Sequence, residues 1–175
     1  MRALIGCLLV LLLFTGSARA TSASRHGAGE SRPATGYRKG RPFEIRLVEV
    51  DGEQVEARTA KAFRAMQAAA ARDGIQLVIR SGFRPHEKQK ELYRKYRAGR
   101  GNLAARPGYS NHQSGSALDI IVRDPATLAW MEEHGPRFGF HKTVRSEPWH
   151  WELLPDERAR DVARSRDTSS REARR

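Results

Sequence analysis

At 175 residues, the chain has the length of one domain with a proper hydrophobic core and is short for two. Its 32 Lys and Arg residues against 20 Asp and Glu residues give a formal net charge of +12, which favours anionic surroundings such as nucleic acid, a membrane surface or an acidic polymer. No helix-turn-helix, zinc-finger or aromatic-rich sheet signature accompanies this charge, and the basic residues are scattered. We therefore expect no nucleic-acid partner and interpret the charge as an adaptation to the environment.

The first twenty residues predict a secretory signal peptide. An arginine follows Met1, residues 3–14 are almost entirely apolar, and Ala18-Arg19-Ala20 ends in an Ala-x-Ala cleavage signal. A retained anchor is the alternative, but the apolar run is short for the roughly 20 residues of a membrane span. We expect export across the inner membrane to the periplasm or the extracellular cell envelope, with no stable membrane insertion after cleavage. Cleavage would remove Cys7, the only cysteine, so a metal site in the mature chain must use His, Asp or Glu.

The remaining chain divides by composition into an arm, a domain and a tail. Residues 21–40 are rich in Ser, Gly, Arg, Thr and Ala and predict a flexible arm, and the charged residues 156–175 predict a disordered tail. Residues 41–155 predict one folded domain, with strands at 43–50, 75–80, 117–122 and 147–153 and helices at 55–72, 85–98 and 125–134. The alternation of the first strand breaks after Leu47, which predicts either a bulge or burial of both faces near its end.

Two segments carry the residues expected to bind a metal. Asp119 opens the apolar run 120–122, and a carboxylate buried in such a run is costly unless a partner neutralises it. A divalent metal would do so, with His112 as the nearest co-ligand. About thirty residues later, His150 follows a second carboxylate, that of Glu147, by three positions. Two histidines and one aspartate would leave the fourth position of a tetrahedral zinc open for water, as a catalytic site requires.

These segments resemble the motifs of the VanY-type zinc D-alanyl-D-alanine carboxypeptidases, Ser-x-His-x-x-Gly-x-Ala-x-Asp followed by Glu-x-x-His. The fixed positions of the first motif are all present, namely Ser110, His112, Gly115, Ala117 and Asp119. That group shares a larger fold family with lysostaphin-type peptidases and the hedgehog signalling domain. The resemblance covers about residues 40–155. It implies an α+β fold with a small antiparallel central sheet and helices packed on it, and Zn²⁺ held by His112, Asp119 and His150.

Two glutamates are candidates for the catalytic base. Alternation along the last strand places Glu152 on the same face as His150, so spacing alone nominates Glu152. In the family, however, the base is the glutamate of Glu-x-x-His, which matches Glu147. Pro148 is best tolerated at the beginning of a strand, so Glu147 could reach the site from the adjoining loop. We choose Glu147 on the resemblance and keep Glu152 as the alternative.

A second family motif lies on the substrate side. The segment Ser81-Gly82-Phe83-Arg84, with Gln89 five residues after the arginine, resembles the family's Ser-Gly-Tyr-Arg motif, although Pro85 stands where the family often has Ser. The resemblance implies that Arg84 faces the peptide and helps to stabilise the developing oxyanion. It also implies that Gln89 and Ser110 belong to the substrate-binding side of the site.

The remaining histidines and the tryptophans beside His150 are assigned structural roles. No other histidine has a carboxylate at useful spacing in apolar surroundings, so we expect these to be structural or solvated; they are His26, His86, His134 and His141. Alternation places Trp149 and Trp151 on one strand face, which predicts core packing of both rings and a rigidly held His150.

The resemblance implies a zinc peptidase that releases the C-terminal D-alanine of a peptidoglycan stem peptide. With the predicted signal peptide, we expect the protein to be secreted, and we expect it to be a monomer. An L,D-carboxypeptidase, a D,D-dipeptidase or an endopeptidase would use the same ligands, because bond choice depends on the cleft loops, here residues 99–109 and 135–146. An alternative of another class is a non-catalytic zinc-binding module, as in hedgehog-type relatives. The presence of Glu147 as a base and Arg84 as an oxyanion partner argues against that alternative.

Overall fold

The computed structural model describes residues 30–155, which form two antiparallel sheets and three helices. The first sheet contains, in spatial order, β1 (Arg32–Arg38), β2 (Arg41–Val50) and β3 (Glu53–Glu56). The second contains β4 (Ile79–Ser81), β5 (Ala117–Ile120), β6 (Phe140–His141) and β7 (His150–Leu153), in the spatial order β4-β5-β7-β6. The helices are α1 (Ala57–Arg72), α2 (His86–Arg97) and α3 (Pro125–His134), and a 3-10 turn follows α3. The predicted α+β class with small antiparallel sheets is confirmed.

Strand β1 lies within the segment predicted to be a flexible arm. It pairs with β2 along its whole length, from Arg32 opposite Leu47 to Arg38 opposite Arg41. The arm prediction is wrong for residues 32–38, because an edge strand needs only a neighbouring backbone for its hydrogen bonds and tolerates exposed polar side chains. The predicted signal peptide, the first part of the arm and the predicted tail lie outside the described residues.

Strand β2 changes from one buried face to two along its length. Ile45 and Leu47 are buried, as the alternation predicts, and the following Val48 and Val50 are buried as well. The pairing of β2 with β3 runs in continuous register, so burial of both faces is confirmed and a bulge is not needed. Val48 and Val50 belong to the main hydrophobic cluster, which explains why their side of the strand is apolar.

The main core joins α1 to the second sheet. Phe63 and Met66 of α1 are fully buried in one cluster with Leu118 and Ile120 of β5 and Trp151 of β7. Removing that apolar surface from water is the dominant favourable contribution to folding. The cluster therefore holds β5 and β7 in place, and these two strands carry Asp119 and His150.

The helices match the sequence prediction more closely than the strands. Helix α3 has the predicted bounds, and its N-terminus is capped by Asp124, whose Oδ1 accepts a 2.7 Å hydrogen bond from the amide of Thr127. The observed strands are shorter than the predicted 75–80, 117–122 and 147–153 because the flanking residues are in loops. Between residues 30 and 155, no helix combines the length and apolarity needed to cross a bilayer.

Candidate metal centre and cleft

Three buried side chains converge at the centre of the second sheet. Asp119 on β5 lies directly opposite His150 on β7, so that both side chains project from the same face. The Oδ1 atom of Asp119 is 3.1 Å from His150 Nδ1 and 3.3 Å from His112 Nε2. The three candidate ligand atoms lie within 4.8 Å of one another. The tertiary structure therefore assembles the His-Asp-His set from three separate parts of the chain.

Two glycines permit the backbone that places His112. Gly115 has a φ of +76°, and a Cβ there would lie 2.5 Å from Cβ of Glu56, so a side chain would be strained and would clash. A Cβ on Gly82 would lie 2.4 Å from the carbonyl oxygen of Gln54. The carbonyl of Gly82 accepts a 2.9 Å hydrogen bond from Nδ1 of His112. Because a carbonyl can only accept, Nδ1 carries the proton and Nε2 is left to bind a metal.

Glu152 orients His150 from the side opposite Asp119. Its Oε1 lies 3.1 Å from His150 Nε2 and accepts a 2.6 Å hydrogen bond from the hydroxyl of Thr143. Its Oε2 accepts a 2.7 Å hydrogen bond from the side-chain amide of Asn111. Both oxygens of this buried carboxylate are thus engaged, and the ring is held with Nδ1 toward Asp119. This is the arrangement in which an outer carboxylate fixes a metal-binding histidine.

The charges of this cluster shift the pKa values of its members. Burial alone would raise the pKa of Asp119, but hydrogen bonds and charges from His112 and His150 outweigh it and hold the pKa below its usual range. Burial would lower the pKa of His150, yet the hydrogen bonds and charges of Asp119 and Glu152 raise it to about 9. The pKa of Glu152 falls to about 2, against the effect of burial, because His150, Thr143 and Asn111 donate to it. Both carboxylates thus stay ionised beside the imidazole of His150, and their negative charge favours a cation at this site.

The cluster opens onto a cleft of about 510 Å³. Both loops predicted to shape a cleft contribute to it, through residues 101–105 and 109 on one side and Val144 on the other. The lining also includes other candidate site residues, Arg84, Ser110 and both candidate bases, Glu147 and Glu152. Gln89 is not among the lining residues and has no exposed surface.

Arg84 is held in the cleft by a short chain of hydrogen bonds. Its Nη1 donates to Gln89 Oε1 at 3.1 Å, and Gln89 Nε2 donates to the carbonyl of Ala105 at 2.7 Å. The amide of Arg84 donates to the carbonyl of His112 at 3.1 Å, which ties the arginine segment to the metal segment. Burial lowers the pKa of Arg84, while the negative charges of Asp119 and Glu147 raise it. Arg84, Asp119 and Glu147 line the same cleft.

Glu147 lies in the turn before β7 and not in the strand. Its carbonyl accepts a 3.0 Å hydrogen bond from the amide of His150, and its own amide donates to the carbonyl of Val144 at 3.2 Å. The side chain is half-buried and lines the cleft together with the three candidate ligands. Glu147 thus reaches the cleft from the loop beside Pro148. Glu152 also borders the cleft, but it is buried and its carboxylate is bonded to His150, Thr143 and Asn111.

The prediction of core packing holds for Trp151 and is wrong for Trp149. Trp151 is fully buried, whereas Trp149 is half-buried and lines the cleft. Strand β7 begins at His150, so Trp149 lies outside the alternation that placed the two rings on one face. The guanidinium carbon of Arg80 lies 5.2 Å from the ring centroid of Trp149, and Arg80 Nη2 is 3.8 Å from Asp119 Oδ2. Arg80 was not predicted as a site residue, because it follows an apolar run and nothing in the sequence distinguishes it from the many other arginines of the chain.

The other described histidines belong neither to the His-Asp-His cluster nor to the cleft lining; they are His86, His134 and the buried His141. His86 stacks on Tyr37 with ring centroids 4.0 Å apart, and its Nδ1 is 3.0 Å from the side-chain amide of Gln113. His134 packs against the ring of Trp130. His26 lies outside the described residues. Asn111 and Thr143 belong to the site but were not predicted, because only the fold brings them to Glu152.

The donor set fits zinc. After the outer hydrogen bonds are made, His112 presents Nε2, His150 presents Nδ1 and Asp119 presents one carboxylate oxygen toward a common centre. Two imidazole nitrogens and one carboxylate oxygen are typical zinc ligands, and three protein ligands facing a cleft are the pattern of catalytic sites. The fold and the site thus have the features of a hydrolase with a candidate metal centre.

Comparison with known proteins identifies the family. Residues 52–156 match the family model described as VanY: D-alanyl-D-alanine carboxypeptidase. The chain belongs to this family.

Two curated relatives of the chain have different printed activities. The chain is 28% identical over 151 residues to a D-alanyl-D-alanine carboxypeptidase of Enterococcus faecalis, covering 69% of this chain and 56% of that protein. It is 40% identical over 79 residues to the peptidoglycan L-alanyl-D-glutamate endopeptidase CwlK of Bacillus subtilis, covering 43% of this chain and 47% of that protein. The chain therefore spans about half the length of the curated relatives it matches.

Solved structures agree with the family assignment. VanYB in complex with D-alanine-D-alanine superposes with a TM-score of 0.57 at 26% identity, covering 74% of this chain and 90% of that one. A variant of the vancomycin-resistance D,D-pentapeptidase VanY in complex with Zn(II) gives a TM-score of 0.56 at 26% identity, covering 72% and 90%.

Proposed function

We propose that this protein is a secreted zinc D-alanyl-D-alanine carboxypeptidase that removes the C-terminal D-alanine from peptidoglycan stem peptides in the cell envelope. The observation that carries the proposal is the buried cluster of His112, Asp119 and His150, which opens onto a cleft also lined by Glu147 and Arg84. The carboxypeptidase relative and the D-alanine-D-alanine complex support the substrate. The Zn(II) complex of VanY supports the metal.

In this proposal each residue of the cleft has its own role in hydrolysis. When bound by His112, Asp119 and His150, zinc supplies Lewis-acid activation of water and of the scissile carbonyl. Glu147 accepts a proton as water adds to the carbonyl carbon, and it returns that proton to the amine as the carbon–nitrogen bond breaks. Arg84 donates hydrogen bonds to the carbonyl oxygen as negative charge develops there. The products are a shortened peptide with a new carboxyl group and free D-alanine.

Two observations favour Glu147 over Glu152 as the base. Glu152 borders the cleft as well, but it is buried and both of its oxygens are engaged by His150, Thr143 and Asn111. Glu147 is half-buried in the wall of the cleft. A base must reach the proton it removes, so access matters before pKa. In this scheme Glu152 and Gln89 act through other residues, Glu152 on His150 and Gln89 on Arg84, and Ser110 contacts the substrate.

A second candidate function is cleavage of another bond in the same polymer. The endopeptidase CwlK is the relative with 40% identity over its matched segment, so an endopeptidase activity has specific support. The ligand set is common to both activities, and the loops around residues 101–105 and 144 would decide between them.

Mass analysis of the products separates the candidates. The zinc-loaded protein is incubated with a pentapeptide stem ending in D-Ala-D-Ala, and we expect loss of one alanine. Release of a dipeptide or an internal cut would show that the protein is a different peptidoglycan peptidase. Absence of any product would favour a non-catalytic module. The Glu147→Ala variant is the control: it should keep its zinc and lose turnover, and unchanged turnover would remove Glu147 from the mechanism.

A further inference from the structure

Arg80 occupies an irregular position in strand β4. Ile79 pairs with Ile120 and Ser81 pairs with Asp119, so two steps along β4 correspond to one step along β5. Arg80 is the extra residue of this β-bulge. Bulges redirect side chains and occur often beside active sites. Here the side chain of Arg80, 52% exposed, is directed into the cleft lining beside the metal ligand Asp119.

The ring of Trp149 holds this guanidinium without using its donors. The guanidinium carbon lies 5.2 Å from the ring centroid. An arginine packed on an aromatic ring keeps the in-plane N–H groups of its fork free for hydrogen bonds. The ion pair with Asp119 is long, 3.8 Å, and is made to the oxygen that does not face the two histidines. Arg80 is therefore restrained in position and still has donors for another partner.

The other two cations among the described residues of the cleft wall are already committed. Lys95 forms a 2.7 Å ion pair with Glu91. Arg84 is bonded to Gln89 and stands near Asp119 and Glu147, as expected of an oxyanion partner. A carboxylate entering the cleft would therefore meet Arg80 as its cationic partner.

We propose that Arg80 binds the terminal carboxylate of the substrate and thereby makes the site selective for a free C-terminus. This inference rests on the proposed peptidase function and extends it to the choice between exopeptidase and endopeptidase. A guanidinium fork matches a carboxylate with two parallel hydrogen bonds, whereas a C-terminal amide or a continuing peptide offers no such charge. Selectivity thus comes from a residue beside the metal and not from the metal ligands.

Two substrates differing only at the C-terminus test this assignment. The zinc-loaded wild type and Arg80→Gln are assayed with a pentapeptide stem ending in a free carboxylate and with its C-terminal amide. We expect the wild type to prefer the free acid by about tenfold or more in kcat/KM, the scale of a charge-assisted hydrogen bond. Arg80→Gln should raise KM for the acid, leave the amide unaffected and so abolish the preference. Arg80→Lys, which keeps the charge but not the fork, should restore part of it.

Controls separate selectivity from damage to the metal site. Arg72→Gln removes the same charge from an exposed position at the end of α1 and should leave the preference unchanged. The zinc content of Arg80→Gln should equal that of the wild type. A loss of zinc in Arg80→Gln would mean that Arg80 supports the metal ligand Asp119. An equal loss of activity on both peptides would mean that Arg80 binds a carboxylate within the peptide and not the one at its C-terminus. Either result overturns the proposal, as does an unchanged preference.

A binding measurement distinguishes failure of this proposal from failure of the proposed function. Zinc-loaded Glu147→Ala is titrated with N-acetyl-D-Ala-D-Ala and with its amide, with and without Arg80→Gln. Tighter binding of the acid that depends on Arg80 supports the carboxylate site even where the wild type releases no D-alanine. Equal affinity for acid and amide overturns it even where D-alanine is released.

Discussion

Asp119 and His150 are direct cross-strand partners on β5 and β7, with Oδ1 and Nδ1 3.1 Å apart. Their separation is therefore set by the spacing of two hydrogen-bonded strands and not by flexible loops. The core beneath them, including the fully buried Leu118 and Trp151 on the same two strands, fixes that pair further. His112 completes the set from a turn whose backbone is tied to the Arg84 segment. A site built on a sheet in this way is organised before a metal arrives.

Glu152→Gln should weaken zinc binding without unfolding the domain. The glutamine side chain would lack the negative charge that holds His150. Its NH2 group could also face the side-chain NH2 of Asn111, which needs an acceptor. Loss of such an outer partner costs about tenfold to a hundredfold in metal affinity. Competition with a chelator of known affinity measures the change, and Glu44→Gln on exposed β2 is the matched control. Equal zinc affinity in the two variants would contradict the orienting role.

Zinc affinity should rise with pH up to about pH 9. The pKa of His150 is raised from 6.5 to about 9 in the metal-free protein, so below that pH zinc must displace a proton. Asp119 and Glu152 have lowered pKa values and stay ionised throughout this window. The dissociation constant should thus fall by up to about tenfold per pH unit and then level off. Calorimetry in buffers of different ionisation enthalpy would report the released proton; a flat affinity between pH 6.5 and 9 would show that His150 is already neutral.

Gln89→Leu should reduce turnover through Arg84 and also lower stability. The variant removes the partner of Arg84 Nη1 and leaves the carbonyl of Ala105 without its donor. Ala105 is exposed, so water can bond its carbonyl instead, and the loss of an intramolecular hydrogen bond costs about 0.5–1.5 kcal/mol in the free energy of unfolding. We expect kcat to fall at temperatures where the variant is fully folded, with zinc content unchanged. Gln76→Leu on the surface is the control, and a stability loss with normal kcat would leave Gln89 a purely structural residue.

Gly115→Ala should destabilise the fold more than Gly74→Ala. Both glycines have positive φ, +76° and +74°. An alanine in this left-handed backbone conformation costs about 1–2 kcal/mol in the free energy of unfolding, so both variants share that loss. A Cβ at position 74 meets nothing within 4 Å, whereas one at position 115 lies 2.5 Å from Cβ of Glu56. The clash should add about 1–3 kcal/mol. Denaturant unfolding of both variants gives the difference, and equal losses would mean that the turn moves freely away from Glu56.

The sequence predicted the helices and the ligand set from local features. Helix α3 begins at a proline, has an aspartate cap before it and ends at a glycine, and all three signals are contained within the helix and its immediate neighbours. The ligand prediction likewise used a short pattern, a carboxylate at the start of an apolar run with a histidine seven residues before it. Strand pairing depends on distant partners, so β1, β3 and β6 were not predicted and β4 was predicted too long.

The sequence by itself determined which side chains can bind a metal, because ligand chemistry belongs to the residue type and the motif spacing is local. Only the tertiary structure decided the roles of the residues around them. It put Glu152 against His150, Glu147 and Trp149 in the cleft wall and Arg80 on a bulge beside Asp119. These outcomes depend on where one strand ends and how another is registered. Register is a property of the paired strands together, and no single segment contains it.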